Sequence, residues 1–241
     1  MEQTTARERL IVALDMPAPE AALSLVQSLG SSVAFYKIGW RLFLAGGMDF
    51  VRRIQGEGKK VFLDLKMDDI GATIETAVSV IAGQVEFLTL FGNAETVRAA
   101  VRGRGAQPKP RFLHVTLLSS SSEADLCEML GVPVPPELGS VINPYVERRA
   151  RSSVSAGAEG LIVSGESIGL VRAAVGPGPI LVCPGIRPLG SDPGDQKRIA
   201  SPASAILAGA DYLVVGRPIW QAPDPRATVD AVVAEIGGAL G

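Results

Sequence analysis

The stretch "KVFLDLKMDDIGATIETAVSVIAGQVEFLTL" (residues 60–90) decides the fold, because it contains one complete strand–helix–strand unit. An apolar run at 60–65 is followed by an Ala-rich segment with helical spacing at 70–83, and then by a second apolar run at 85–90. This order is typical of two parallel strands joined by a helical crossover. The stretch therefore predicts parallel sheet in this part of the chain.

The same unit recurs along the whole chain. Eight short apolar runs alternate with helical segments, and they lie at 10–14, 34–39, 60–65, 85–90, 111–118, 160–164, 179–183 and 211–216. Eight such units in about 250 residues are typical of a (β/α)8 barrel, whereas an open doubly wound sheet fits less well. We therefore predict an α/β fold with a single (β/α)8 TIM barrel domain over residues 1–241. Residues 1–9 form a polar N-terminal segment of this domain.

The composition limits the chemistry and the partners. The chain has 241 residues, is 47% hydrophobic and carries a net charge of −2, which favours neither a nucleic-acid nor a membrane partner. The single histidine, His114, lies in the apolar run "FLHVTLL" and is expected in the core, so histidine-based catalysis is disfavoured. Cys127 and Cys183 are isolated and do not make a metal site, and we predict a soluble cytoplasmic protein.

Polar residues gather where the predicted strands end. The active site of such a barrel lies at the carboxyl ends of its strands. The candidates at these positions are Asp15, Lys37, Asp64, Lys66, Ser119, Ser164, Arg187 and Arg217. Their convergence on one rim indicates a functional site more strongly than any single motif.

The third strand carries the densest group of charges. Asp64 and Lys66 are two residues apart, so on a strand they point the same way, and Asp69 follows in the next loop. With Lys37 from the second strand, the charges alternate in sign at the barrel mouth. Buried ion pairs add little net stability, which favours a functional network. A structural ion pair that closes the barrel is the alternative.

Two further segments indicate a phosphate ligand. The Gly- and Pro-rich segment "PGIRPLGSDPGDQKRIASP" (184–202) contains Arg187 and Gln196 and is typical of a phosphate-binding or lid loop. Gly216 and Arg217 follow the eighth strand, where these barrels commonly bind phosphate. The serines after the fifth strand are expected in a loop or at a helix N-cap, and Ser119 could contact a heteroaromatic ligand.

Taken together, these motifs resemble the orotidine 5′-phosphate decarboxylases over essentially the whole chain. The resemblance rests on "LIVALD", "YKIG", "DLKMDDIGAT", "VTLLSS", "PGIRP", the "DQ" that contains Gln196, and "VVGRPI". It implies conversion of orotidine 5′-monophosphate to UMP and CO2, the last step of UMP synthesis, by a homodimeric lyase without metal or cofactor.

The resemblance also implies a role for each site residue. Lys66 would protonate C6 as CO2 leaves, and Asp64 would lie beside the substrate carboxylate. Lys37 and Asp15 would bind the ribose, while Asp69 and Thr73 would reach into the neighbouring subunit's site. The remaining contacts would come from Ser119 to the pyrimidine, from Gln196 between base and phosphate, from Arg187 in the substrate loop, and from Gly216 and Arg217 to the phosphate.

Four residues depart from the usual family pattern, and two rival functions stay open. Gly71–Ala72 stand where Pro-Asn is frequent, Phe91 stands where a histidine is common, and Asp68 adds an acidic residue. Magnesium-dependent keto-gulonate phosphate decarboxylases and hexulose phosphate synthases share the D-x-K-x-x-D element, but have a carboxylate where this chain has Lys37. The second rival is a catalytically silent barrel that binds a phosphorylated metabolite.

Overall fold

A computed structural model describes residues 5–135, 141–188 and 200–241 and contains a closed barrel of eight parallel strands. Each strand pairs with its neighbours in chain order, and β1 closes the barrel against β8. The strands are β1 (Leu10–Ala13), β2 (Phe35–Gly39), β3 (Lys60–Met67), β4 (Phe87–Leu90), β5 (Arg111–Val115), β6 (Gly160–Ile162), β7 (Ile180–Cys183) and β8 (Tyr212–Val215). The predicted (β/α)8 barrel is confirmed.

Helices follow the strands and form the outer layer. They are α1 (Pro19–Leu29), α2 (Trp40–Gly56), α3 (Gly71–Ile81), α4 (Ala94–Arg104), α5 (Glu123–Leu130), α6 (Ile142–Ser155), α7 (Ile168–Val175), α8 (Pro202–Leu207), α9 (Arg217–Trp220) and α10 (Pro225–Leu240). Helix α5 begins after Ser122, whose hydroxyl accepts from the N–H of Asp125, so the predicted serine N-cap is confirmed. Asn93 caps α4 in the same way, through the N–H groups of Glu95 and Thr96.

Alternation along the strands separates two apolar cores. Phe35, Phe62 and Phe87 face the barrel interior, where the ring centroids of Phe35 and Phe87 lie 5.1 Å apart. Val61 and Leu63, the neighbours of Phe62, pack outward in the larger core between the sheet and the helices. Both faces of the sheet are therefore buried, and this explains why the strands are apolar at nearly every position.

Strand boundaries differ from the prediction by one to three residues, and two of these differences lie near the site. Strand β5 ends at Val115 rather than at residue 118, although both the N–H and the hydroxyl of Thr116 still donate to the carbonyl of Ile162 on β6. Strand β3 runs to Met67 rather than to residue 65, and its pairing with β4 slips between Leu63 and Met67. This irregularity lies at the predicted catalytic residues.

Cys127 and Cys183 are both buried free thiols, and burial raises the pKa of Cys183 to about 12. Across the described ranges, no helix combines the length and the apolar character needed to cross a bilayer.

Candidate active site

Most of the predicted site residues surround one cavity at the carboxyl ends of the strands. The cavity has a volume of about 570 Å³. The predicted residues that line it are Asp15, Lys37, Asp64, Lys66, Ser119, Arg187, Gly216 and Arg217. Ser164, which was also expected at the rim, is buried and does not line this cavity.

Strand register brings the charged residues together. Lys37 lies beside Ala13 on β1, and Gly39 lies beside Asp64 on β3. The Nζ atom of Lys37 donates to Oδ1 of Asp15 at 2.9 Å and lies 3.4 Å from Oδ2 of Asp64. Lys37 is therefore held between two carboxylates that come from different strand ends.

The pKa values of Lys37 and Asp64, which are both buried, are shifted by their interaction with each other and with nearby groups. Burial alone would lower the pKa of Lys37, but Asp64 and Asp15 outweigh it and the pKa of Lys37 is raised. Burial alone would raise the pKa of Asp64, but Lys37, Lys66 and the hydroxyl of Thr89 outweigh it and this pKa is lowered. Both side chains therefore stay charged at neutral pH.

Lys66 is the third charged residue of this network, and its backbone conformation is unusual. Its Nζ atom donates to Oδ1 of Asp64 at 2.8 Å, and its side chain is 36% exposed, compared with 14% for Asp64. Its φ of 46° makes it the one non-glycine residue with a positive φ in the described part of the chain. This conformation costs on the order of 1–2 kcal/mol and is often found at functional sites.

The cavity continues toward β7 and β8. Gly216 is the N-cap residue of α9, and Arg217 is the first residue of that helix. The predicted phosphate residues thus lie beside a strand end and on the same cavity wall as Asp15. Arg187 is 9% exposed, and its N–H donates to the carbonyl of Ala200 across the base of the 184–202 loop. Gln196 lies outside the described residues.

Asp69 and Thr73 do not line this cavity either. Both are exposed, and Oδ1 of Asp69 accepts from the N–H of Ile70 at 2.6 Å. Asp69 follows β3, while Thr73 lies in the first turn of α3. The resemblance assigned both residues to the neighbouring subunit's site, and this assignment stays a prediction.

The structure places Asp68, whose role the sequence left open. Its Oδ1 atom accepts from the hydroxyl of Thr96 at 3.3 Å, at the start of α4. It also packs against Gly92, where an added Cβ would lie 2.0 Å from Oδ1 of Asp68. Asp68 therefore faces the next βα unit and not the charged cavity.

His114 is a core histidine, as predicted. It is 2% exposed, and its Nδ1 and Nε2 atoms lie 2.6 Å from the hydroxyl of Ser153 and the carbonyl of Phe91, respectively. Burial, and then the nearby guanidinium of Arg149, lower the pKa of His114 to about 4. The ring is therefore neutral at pH 7, with Nε2–H donating to the carbonyl of Phe91, while Nδ1 contacts the hydroxyl of Ser153, which itself donates to the carbonyl of Arg149.

Sequence reasoning missed Gly39 and Thr89. A Cβ at Gly39 would lie 3.2 Å from both Oδ1 of Asp15 and Nζ of Lys37, so a glycine leaves room for that ion pair. The "YKIG" motif contained this glycine without revealing its role. Thr89 is the one polar residue within β4, and its hydroxyl contacts both Asp64 and the backbone of Lys66.

The fold and the site define a (β/α)8 barrel with a Lys–Asp–Lys network at its mouth, and the chain belongs to the orotidine 5′-phosphate decarboxylase / HUMPS family. The family's model matches residues 8–232. The chain is 48% identical over 243 residues to the orotidine 5′-phosphate decarboxylase of Rhodopseudomonas palustris (strain BisA53), covering 99% of each. It is 49% identical over 236 residues to the one from Bradyrhizobium diazoefficiens, covering 98% of this chain and 96% of the relative.

Solved structures agree in fold. The crystal structure of orotidine 5′-phosphate decarboxylase from Lactobacillus acidophilus matches with a TM-score of 0.80 and 30% identity, covering 94% of this chain and 98% of that chain. The one from Pyrococcus horikoshii OT3 matches with a TM-score of 0.71 and 26% identity, covering 94% and 98%. The family expected from the residues is therefore confirmed.

Proposed function

We propose that this chain is a carbon–carbon lyase that converts orotidine 5′-monophosphate to UMP and CO2, the last step of UMP biosynthesis, without metal or cofactor. The observation that carries the proposal is the Lys37–Asp64–Lys66 network, in which both cations lie within 3.4 Å of one carboxylate. The decarboxylase names of relatives with 48% and 49% identity over nearly the full chain support the substrate.

Lys66 supplies the cation and the proton. When CO2 leaves, an electron pair remains at C6 of the pyrimidine, with no adjacent carbonyl or imine to take it up. A cation fixed next to that carbon stabilises the developing charge. Lys66 then gives one Nζ proton to C6, the electron pair forms the new C–H bond, and solvent restores the ammonium.

Asp64, Lys37 and Asp15 hold Lys66 and the sugar. Asp64 takes hydrogen bonds from Lys66 and lies beside the substrate carboxylate in this proposal. Lys37 binds the ribose with Asp15, and the 2.9 Å contact between these two supports a shared task. Since Lys37 neutralises part of the charge on Asp64, the carboxylate of Asp64 stays ionised in the closed site.

Other residues of the cavity bind the phosphate and the base. Gly216 and Arg217 bind the phosphate, since a guanidinium next to a helix start suits a dianion. Ser119 contacts the pyrimidine, while Gln196 and Arg187 belong to the 184–202 loop, which we propose as a lid. Phosphate lies far from C6, so its binding energy can close the lid and act in the transition state.

We also propose that the active form is a homodimer with shared sites. The exposure of Asp69 and Thr73 next to β3 supports their reaching a partner's cavity. Closure of all eight strands supports one domain over residues 1–241. The two free buried thiols support a reducing, cytoplasmic location.

The magnesium-dependent rivals fit the geometry less well. Magnesium needs oxygen ligands, and the ammonium of Lys37 occupies the position between Asp15 and Asp64 where such an ion would be held. A silent barrel is disfavoured by the intact charges at positions 37, 64, 66 and 69.

The test is a continuous absorbance assay with orotidine 5′-monophosphate, run with and without EDTA. We expect turnover to UMP at the same rate in both. Loss of turnover in EDTA that magnesium restores would contradict catalysis without a metal, and absence of turnover in metal-replete buffer would favour one of the two rivals.

A further inference from the structure

Thr89 is a buried hydroxyl inside the barrel. It is 1% exposed and lies two residues after Phe87 on β4, so both side chains face the barrel interior. A buried hydroxyl without partners is costly, and strand β4 is otherwise apolar. The partners of Thr89 therefore indicate what its hydroxyl does.

The hydroxyl joins the two central residues of the charged network. Its Oγ1 atom accepts from the backbone N–H of Lys66 at 2.8 Å and donates to Oδ1 of Asp64 at 2.9 Å. The same Oδ1 atom accepts from Nζ of Lys66 at 2.8 Å. Main chain and side chain of Lys66 are thus linked through one carboxylate oxygen and one hydroxyl.

These contacts lie where the sheet is irregular. Leu63 pairs with Leu88 and Met67 pairs with Leu90, so four steps along β3 correspond to two steps along β4. Lys66 lies within this bulge with a φ of 46°. A β-bulge changes the direction in which side chains point. A strained backbone conformation persists only where contacts with neighbouring residues stabilise it. Within this bulge, the hydroxyl of Thr89 is the group that accepts from the backbone N–H of Lys66.

We propose that Thr89 is a positioning residue for the decarboxylation, holding the backbone of Lys66 and the carboxylate of Asp64 in their reactive arrangement. This proposal rests on the roles given above to Asp64 and Lys66. When Lys66 transfers its proton to carbon, its charge-assisted bond to Asp64 weakens. The neutral hydroxyl of Thr89 still donates to Oδ1, so Asp64 stays in place through that step.

The test is a set of variants at two buried threonines. Thr89→Val keeps the shape and removes the hydroxyl, whereas Thr89→Ser keeps the hydroxyl. Thr116→Val is the matched control, since Thr116 is also 1% exposed but its hydroxyl donates to a backbone carbonyl, that of Ile162. The measurements are kcat, KM, affinity for UMP and thermal unfolding of the full-length enzyme.

We expect kcat of Thr89→Val to fall about 10- to 100-fold, with KM and UMP affinity changed less than about threefold. Thr89→Ser should keep kcat within about threefold of wild type, and Thr116→Val should keep wild-type kcat. A general packing role would lower stability in both valine variants without this kcat-specific loss. If Thr89→Val does not fold, Thr89→Ala carries the same expectation.

Three results would overturn the role of Thr89. These are wild-type kcat in the variant without the hydroxyl, equal losses in Thr89→Ser and Thr89→Val, or an equal kcat loss in Thr116→Val. Lys66→Ala separates this failure from that of the proposed function. Loss of turnover in Lys66→Ala with wild-type turnover in Thr89→Val overturns the positioning role alone, whereas wild-type turnover in both overturns the proposed role of Lys66 as well.

Discussion

The Nζ atom of Lys66 donates to Oδ1 of Asp64 at 2.8 Å, although Lys66 lies in a break of the β3–β4 pairing. Lys37 lies 3.4 Å from the other oxygen of the same carboxylate. One buried acid thus fixes two cations before any substrate arrives. Charge that develops at carbon is stabilised best by groups that need not reorganise, and this arrangement provides them.

Subunit mixing tests the shared site. Asp69→Ala and Lys66→Ala should each be nearly inactive alone, because each lacks one group in both sites. In a mixed dimer, one site regains both groups. A 1:1 mixture that exchanges subunits freely should therefore recover about a quarter of wild-type activity, measured by the absorbance assay.

The control for this prediction is the double variant Asp69→Ala/Lys66→Ala mixed with Lys66→Ala, which offers no complete site. No recovery in the test mixture, after exchange has been verified by mass spectrometry of tagged subunits, would mean that Asp69 acts in its own barrel or not at all.

Arg217→Ala should weaken substrate binding through the phosphate. A charge-assisted hydrogen bond is lost, so KM should rise about 10- to 100-fold, with a smaller rise for Arg217→Lys. Orotidine without its phosphate provides the control, since its slow turnover should not depend on Arg217. An equal loss for both substrates would place Arg217 in the structure of the barrel and not at the phosphate.

Acid should destabilise the fold through His114. The pKa of its ring is about 4 in the folded chain, compared with 6.5 as the ordinary value, because burial and Arg149 oppose its protonation. The unfolded chain therefore binds the extra proton first. This contribution to stability is complete above pH 6.5 and falls as the pH drops, by about 2 kcal/mol at pH 5.

Thermal unfolding between pH 7.5 and pH 5 measures this effect, and the expected fall in Tm is about 4–8 °C. Arg149 and Asp68 are the charged side chains that act on the His114 ring. His114→Asn, which cannot take up the proton, should show a smaller slope. An equal slope in wild type and variant would contradict the assignment to His114.

Much of the fold and of the site was predictable from local pattern. Apolar runs of strand length predicted the eight strands. The two-residue spacing of Asp64 and Lys66 predicted that their side chains lie on the same face, where they form a hydrogen bond. Both features are local, because the side chains of a strand alternate between its faces. The rim position of Lys37 and Arg217 followed from where their strands end.

The rest depended on contacts between units distant in sequence. The left-handed backbone of Lys66 accompanies a slip in the pairing of β3 with β4, and its bonding partner Thr89 lies 23 residues away along the chain. No local pattern encodes either feature. Asp68 was unexplained for the same reason, because its partner Thr96 belongs to the next unit. The steric role of Gly39 depends on Asp15, which lies on another strand end.

The most direct measurement is the turnover of orotidine 5′-monophosphate by Lys66→Ala beside Lys60→Ala. Lys60 is an exposed lysine at the opposite end of the same strand and serves as the control. Loss of both the fixed cation and the proton donor should lower kcat/KM of Lys66→Ala at least about 10⁴-fold, while Lys60→Ala keeps wild-type turnover. Turnover by Lys66→Ala at a rate similar to that of wild type would contradict the central role of Lys66.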